Sequence, residues 1–368
     1  MTSNRRDFIK AGMVGAAAAA AGFPAIGAAG EHEQRNKPLE ILFLGGTGFI
    51  GPHAVREALR RGHSVTLFNR GRTNNELFPD LETIKGDRNN GLDGLKGRKW
   101  DAVVDNSGYV PRHVQDSARL LAPNCDRYLY ISTVAVYADI PSARDEDAPL
   151  ATIDDESIEE VTRETYGPLK ALCEKRAAAE IEADKLTILR PTYICGPGDH
   201  TDRFSYWPIR TRKGGEMLWP GTPQDAIQIV DVRDLATFTI DCLDRDISGT
   251  YNMVNPPGKY TMGKLLEDCQ AVTATSVDAV WVAEEFLVAN ELNPGAQIPI
   301  WQGGARSFGI GTERALAKGM QHRPERETAR DLLAWWDTLP AERRAGIKAG
   351  PGAEKEAEVL AAWKKQSA

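Results

Sequence analysis

The chain has 368 residues, 42% hydrophobic and 26% charged, an ordinary make-up that excludes a disordered, collagen-like or coiled-coil protein. Its 45 Lys and Arg against 52 Asp and Glu leave a net charge of −7, which counts against a nucleic-acid binder that covers phosphates with a basic face. A chain this long accommodates one large α/β domain with a smaller lobe, and buries enough apolar surface to need no disulfide or metal staple.

Taken in chain order, the first segment stands apart from the fold. Asn4-Arg5-Arg6-Asp7-Phe8-Ile9-Lys10 precedes an uncharged Ala/Gly-rich stretch from Ala11 to Ala29. A basic head, a modest apolar span and small residues near an exit resemble an export leader, and paired arginines before Phe-Ile-Lys resemble a twin-arginine signal. The span is weakly apolar and Pro24 interrupts it, so a stable membrane anchor is not expected. The expectation is a signal peptide over residues 1–29, handled by the twin-arginine export machinery, and a periplasmic or otherwise exported protein. No later stretch has the roughly 18–20 apolar residues of a membrane span. The 5 cysteines are far apart, odd in number and without Cys-x-x-Cys spacing, which argues against a disulfide scaffold.

Leu39 to Leu44 reads as a buried strand, followed by Gly45-Gly46-Thr47-Gly48-Phe49-Ile50-Gly51 and a helical pattern through Arg61 that stops at Gly62. Glycines at 45, 48 and 51 have the spacing of a dinucleotide-binding turn. One turns tightly, one lets the backbone approach a pyrophosphate, and one lets helix and strand pack closely. Thr47, Phe49 and Ile50 belong to the same cofactor-binding turn, at a helix start whose free N–H groups suit phosphate. The second strand, Ser64 to Phe68, ends at Asn69-Arg70-Gly71-Arg72. Asn69 carries no charge to repel a 2′-phosphate, and Arg70 or Arg72 can pair with one, so NADP is preferred with NAD as the alternative. The other reading makes these arginines solvated loop residues. A third strand over 81–84 leads to Gly86-Asp87-Arg88, a fourth over 101–105 ends at Asn106-Ser107-Gly108, and a fifth over 127–131 ends at Ser132-Thr133. Helical stretches alternate with all of them, which predicts a doubly wound parallel (Rossmann) sheet with a smaller C-terminal substrate-binding lobe.

Tyr166-Gly167-Pro168-Leu169-Lys170 opens a helical stretch running to about Asp184. The i, i+4 spacing puts phenol and ammonium on one face, and Pro168 is tolerated near a helix start. A nearby Lys charge lowers the pKa of a tyrosine, which then exchanges a proton with a substrate alcohol.

Together, Gly45 to Gly51, Ser132-Thr133 to Tyr137, and Tyr166 with Lys170 resemble the extended short-chain dehydrogenase/reductase superfamily in its NAD-dependent epimerase/dehydratase branch. Leu189-Arg190-Pro191, Gly196-Pro197-Gly198-Asp199, Asp231 to Ala236 and Gly249 to Asn252 extend the resemblance over roughly residues 39–340. It implies that Thr133 hydrogen-bonds the reacting oxygen, that Tyr166 is the acid/base, and that Lys170 holds the nicotinamide ribose and tunes Tyr166. It also places Asp87 near the adenine, where the alternative is a turn-capping carboxylate, and Ser107 in the cofactor crevice. Dehydratases of this family usually carry Asp-Glu after the catalytic Thr. Val134-Ala135 stands there instead, which argues against sugar dehydration of that type.

Beyond Asp199, Arg203-Phe204-Ser205-Tyr206-Trp207-Pro208-Ile209-Arg210 interleaves rings and arginines, which suits a polar ring-shaped ligand and equally an aromatic packing cluster. Substrate candidates are Tyr109, Tyr193, Arg203, Trp207 and Arg210, with His200 at most a further contact. Cys195 reads as a buried structural thiol, and the 6 histidines show no metal-ligand spacing, so no metal is expected. The expected organisation is the signal at 1–29, a dinucleotide-binding domain at 38–195 with a returning segment about 225–255, a substrate lobe at 196–224 and 256–340, and a charged helix or tail at 341–368. The expected activity is an exported NAD(P)-dependent epimerase or oxidoreductase acting on a secondary alcohol, carbohydrate first, with a tightly bound and recycled cofactor. Alternatives are an NADP-dependent carbonyl reductase of a non-sugar substrate and a non-catalytic dinucleotide- or RNA-binding relative. The resemblance leaves a homodimer open, and the acidic net charge argues against a nucleic-acid partner.

Overall fold

The computed structural model describes residues 37–304 and 309–367, and the expected leader over residues 1–29 lies outside the described residues. In chain order these form β1 (Glu40–Leu44), α1 (Ile50–Arg60), β2 (Ser64–Asn69), β3 (Glu82–Lys85), β4 (Trp100–Asp105), α2 (Pro111–Leu121), β5 (Cys125–Ile131), α3 (Tyr166–Glu180), β6 (Leu186–Pro191) and β7 (Tyr193–Cys195). Next come α4 (Tyr206–Thr211), β8 (Gly215–Pro220), β9 (Ile229–Asp231), α5 (Val232–Asp244), β10 (Gly249–Met253), α6 (Met262–Thr273) and β11 (Val277–Val282). The last helices are α7 (Glu284–Ala289), α8 (Glu313–Ala317), α9 (Glu325–Asp337), α10 (Ala341–Arg344) and α11 (Ala353–Ser367).

A seven-stranded sheet runs β10-β6-β5-β4-β1-β2-β3, and every pairing in it is parallel. Parallel sheets are covered on both faces, so their strands need apolar residues at consecutive positions. Strand β1 shows this: Ile41 and Phe43 pack towards α1 and α5, while Leu42 and Leu44 pack towards α2 and α3. The chain moves from β1 outward to β3, then returns to the other side of β1 for β4. Between β1 and β4 the connections leaving the strand ends run in opposite directions, and a crevice opens there in sheets of this winding.

The expected helix to Asp184 stops at Glu180, because Ile181 already has extended backbone with φ −110° and ψ 132°. Outside the main sheet, β8 pairs with β11 and β7 with β9. A separate apolar core gathers Trp207, Trp219 and Trp301 with residues of α6, α9 and α11. The charged C-terminal segment is a packing arm here: Val359 and Leu360 of α11 enter that core, and its buried Glu356 accepts from Arg210 Nε at 2.6 Å.

Under the crevice, Asp105 at the end of β4 is fully buried and forked by Arg88 at 2.5 and 2.6 Å. Tyr128 donates to the same carboxylate at 2.9 Å, and Arg88 also donates to Ser117 at 2.6 Å, so the pair ties β4, β5 and α2 to the turn after β3. Removing one partner of such a pair leaves a buried charge without compensation. Asp105→Ala is therefore expected to lower the unfolding free energy by about 3–5 kcal/mol, measured as an earlier midpoint in urea denaturation followed by circular dichroism.

Candidate active site

The turn between β1 and α1 is shaped by absent side chains. Gly45 has φ +115°, and a Cβ there would lie 2.2 Å from Asn106 Oδ1 at the end of β4. A Cβ on Gly51 would lie 2.5 Å from the Gly46 backbone, so glycine allows α1 to start against the strand end. At Gly48 a Cβ would meet nothing within 4 Å, because this residue faces open space. No side chain caps the start of α1. Its first N–H groups therefore remain available to an acceptor from outside the helix.

Two cavities meet at this turn and share Gly45, Gly48, Ser107 and Tyr109 in their walls. The smaller, about 360 Å³, is lined by Thr47, Asn69, Arg70, Arg72 and Asp87. Asn69 Oδ1 accepts from Gly71 N–H at 2.8 Å, which closes a short turn and presents the exposed Arg70 and Arg72 at its mouth. Asp87 does cap a turn, accepting from Asn89 N–H at 3.0 Å, and it stands on the cavity wall as well. Ser107 Oγ donates to the Leu44 carbonyl at 2.8 Å, fastening the ends of β1 and β4 together.

The larger cavity, about 690 Å³, has Phe49, Ile50 and Gly51 on one side and Thr133, Tyr166 and Lys170 on another. Lys170 opens the second turn of α3 and is only 3% exposed. Its ammonium donates to the Gly108 carbonyl at 2.8 Å and the Ile131 carbonyl at 2.7 Å, and sits 4.2 Å from the centre of the Tyr130 ring. An ammonium has three donors, so these bonds leave one to offer to a ligand. Burial lowers its pKa from the ordinary 10.5 to about 8. The first turn of α3 touches the segment after β5 closely: a Cβ on Gly167 would lie 2.3 Å from the Ala135 carbonyl oxygen. That approach brings Tyr166 to Thr133, whose hydroxyl pulls the phenol's pKa down while burial and the neighbouring Tyr109 raise it, with a net upward shift. The net lowering expected of Tyr166 is not found: burial and Tyr109 outweigh the Thr133 hydroxyl and the Arg203 charge, so Tyr166 stands as a neutral phenol.

Tyr109, Tyr193 and Arg203 also line the larger cavity, with Arg203 4.8 Å over the Tyr193 ring. Trp207 and Arg210 do not, which corrects the expectation for both. Trp207 is 0% exposed and packs 4.7 Å from Trp219, and Arg210 bonds Glu356 and the Gly214 carbonyl. His200 lines it too, and the structure adds Arg163 and Gln302 to the wall. Arg163 gave no signal in sequence, being one arginine in a polar stretch. Cys195 is buried and donates to the Tyr193 carbonyl at 3.3 Å, while burial pushes its thiol well above the ordinary range. All five cysteines are free, and no group of three or more His, Cys, Asp or Glu among the described residues is placed to hold a metal. No helix among the described residues is long and apolar enough to cross a membrane.

Comparisons with known proteins identify the family and the fold. Residues 41–254 match the model of the NAD dependent epimerase/dehydratase family. The 41 kDa chloroplast stem-loop binding protein b of Arabidopsis thaliana is 28% identical over 225 residues, 56% of this chain and 56% of its own. The chain spans about half the length of that relative. The Bordetella bronchiseptica enzyme WbmH, in complex with NAD+, superposes with a TM-score of 0.62 at 17% identity, covering 82% of this chain and 99% of that one. Human epimerase family protein SDR39U1 (isoform 2), with NADPH, does so with 0.56 at 20% identity, covering 82% and 100%. At these identities the likeness to the two structures is one of fold.

The buried Lys170 gives a pH signature. Below about pH 8 both folded and unfolded chains carry the ammonium, so its desolvation destabilises the fold in full. From there to the ordinary 10.5 the folded chain releases its proton first, the unfolded chain binds more protons, and stability rises with pH. Relative to Lys170→Met, the unfolding free energy of the unaltered protein is expected to rise by about 3 kcal/mol across that window, read from urea titrations at a series of pH values.

Proposed function

Because the chain belongs to the NAD-dependent epimerase/dehydratase family of extended short-chain dehydrogenases/reductases, we propose that it is an exported epimerase or oxidoreductase of a secondary alcohol, most readily that of a carbohydrate. The observation that carries this reading is the presence of Thr133, Tyr166 and Lys170 on the wall of one cavity with the glycine turn. The residues present fit a nicotinamide dinucleotide. The open space at Gly48 admits a pyrophosphate, the uncapped start of α1 offers N–H groups, and the unspent Lys170 donor suits a ribose hydroxyl. Arg70 and Arg72, exposed on the smaller cavity, support NADP over NAD.

A dinucleotide held by the glycine turn and Lys170 would supply hydride chemistry at the substrate carbon. The chain's own groups handle the oxygen on that carbon. Thr133 orients it by hydrogen bonding, and Tyr166 takes its proton on oxidation and gives one back on reduction. Held as a neutral phenol, Tyr166 is ready for the second of these transfers. Water loss requires an acid and a base beside the leaving group, and the Val134-Ala135 pair at the cavity wall supplies neither.

The twin-arginine-like leader supports the finer reading. Outside the cytoplasm free dinucleotide is scarce, so an exported enzyme of this type keeps its cofactor bound and regenerates it within each turnover. This favours epimerisation, or coupled oxidation and reduction of two substrates, over a dehydrogenase that releases reduced cofactor. A stem-loop-binding relative opens an RNA reading, which the net charge of −7 disfavours.

Recovery of the protein from the periplasmic fraction, followed by denaturation and chromatography of the released nucleotide, is expected to yield close to one NADP(H) per chain. Protein confined to the cytoplasm, or protein that neither carries nor binds either dinucleotide, contradicts the proposal. Tyr166→Phe is expected to keep the bound nucleotide while turnover falls by about two orders of magnitude or more, measured as exchange of the substrate's carbon-bound hydrogen.

A further inference from the structure

Three buried carboxylates of this half of the fold are each committed to an arginine. Asp105 is paired with Arg88, Glu174 with Arg190, and Glu146 with Arg314. The wall itself contains no Asp, Glu or Cys, whereas Lys170, Arg163, Arg203 and His200 all reach it.

Lys170 is held by backbone carbonyls, but the two arginines are not comparably engaged. Arg203 spends Nε on Thr201 Oγ1 at 3.1 Å, and its terminal nitrogens have no acceptor among the described residues. Arg163 has no hydrogen bond or ion pair among the described residues and lies three positions before Tyr166. The two guanidinium groups come from different segments, the approach to α3 and the loop after β7, and the charge of each reaches the Tyr193 phenol. The charge of Arg203 also reaches Tyr166. Asp199 is near Arg203 but does not neutralise it. That carboxyl is fully buried, accepts from Thr201 at 2.6 and 2.8 Å, makes no ion pair with Arg203, and is pushed by burial towards its protonated form.

Two cations that face one cleft repel each other, and a planar guanidinium fork matches an oxyanion in charge and in shape. We propose that the substrate carries an oxyanion, a carboxylate or a phosphate, which Arg163 and Arg203 grip beside Tyr193 and close to the carbon whose hydroxyl meets Tyr166. This rests on the reading that the cavity holds the substrate of a dinucleotide-dependent enzyme, and it narrows that substrate to an acidic one: a sugar acid or a sugar phosphate in place of a neutral sugar. Tyr193 completes the grip, since its ring supports Arg203 at 4.8 Å and its hydroxyl is fixed by Gln302.

The test uses the full exported protein with its bound dinucleotide and measures binding by calorimetry, so it needs no turnover. The probes are hexuronates, hexose 6-phosphates and neutral hexoses of gluco, galacto and manno configuration. At least one acid is expected to bind about tenfold or more tighter than its neutral counterpart, with affinity falling as salt is raised. Preference for the uronate or the phosphate arm identifies the oxyanion. Arg163→Gln and Arg203→Gln are each expected to lose about tenfold for that acid while retaining the dinucleotide and the melting temperature, and Arg203→Lys to recover part of the loss. A panel in which no acid binds more tightly than its neutral counterpart overturns the proposal, as do arginine variants that bind the acid like the unaltered protein. Either result with the dinucleotide in place leaves the enzyme reading standing, whereas a protein that binds no dinucleotide defeats that reading instead.

Discussion

One buried ammonium holds the site together. Lys170 comes from α3, yet its donors go to Gly108 beyond β4 and to Ile131 at the end of β5, with the Tyr130 and Tyr109 rings at 4.2 and 5.3 Å. Desolvating a lysine is costly, and charge-assisted bonds to carbonyls together with aromatic faces offset part of that cost. The lowered pKa records the part they do not offset. Because Tyr109 follows Gly108 and Ser132-Thr133 follows Ile131, both walls of the larger cavity hang from this cation. Gly167 sets the remaining dimension, since any side chain there would force α3 away from Ala135 and take Tyr166 with it.

A second buried network braces the same wall from below. Ser132 donates to Glu174 at 2.5 Å, and Arg190 of β6 forks that carboxylate at 3.0 and 2.6 Å. Arg190 also donates to the Tyr137 hydroxyl at 3.1 Å, Tyr137 donates to Asn252 Oδ1 at 2.6 Å, and Asn252 N–H meets Glu146 at 2.8 Å. Three sheet strands and α3 are thereby referred to the residue before Thr133. Glu174 and Glu146 are both paired in this network, and fully satisfied networks rigidify a structure. These two carboxylates serve as struts, which leaves them committed away from the cations of the cavity wall.

What the sequence disclosed and what it withheld divide on physical grounds. Strands such as Ile41–Leu44 were legible because burial on both faces leaves an uninterrupted apolar run. The three glycine roles were legible because a close backbone approach admits no substitute. Strand β6 ends in Arg190-Pro191 and the edge strand β10 reads Gly-Thr-Tyr-Asn-Met, so neither carries an apolar run, and both showed only as motifs. Trp207 and Arg210 were misplaced because interleaved rings and arginines look alike in a ligand platform and in a core. Only Trp219 and the distant Glu356 decide between them. The direction of the Tyr166 shift was hidden for a similar reason, since spacing reveals Lys170 on the same helix face but neither the burial nor Tyr109.

The C-terminal segment extends this dependence on distant partners into the cavity itself. The loop that carries His200 and Arg203 is held through Asp202, a non-glycine residue at φ +61°. A left-handed backbone of this kind persists where its surroundings over-determine it. Here Asp202 accepts from Arg343 and from Lys348 N–H at 2.9 Å, while Lys348 Nζ donates to the His200 carbonyl at 3.0 Å. Arg343 is in turn seated 4.7 Å over Trp336 of α9. Residues that read as a charged tail therefore fix the conformation of the loop that brings Arg203 to the wall of the larger cavity. The two halves of the site thus have separate foundations. Thr133, Tyr166 and Lys170 rest on the parallel sheet and are legible as motifs, whereas Arg203 of the loop rests on packing from the far end of the chain, where one sequence carries no local sign of it.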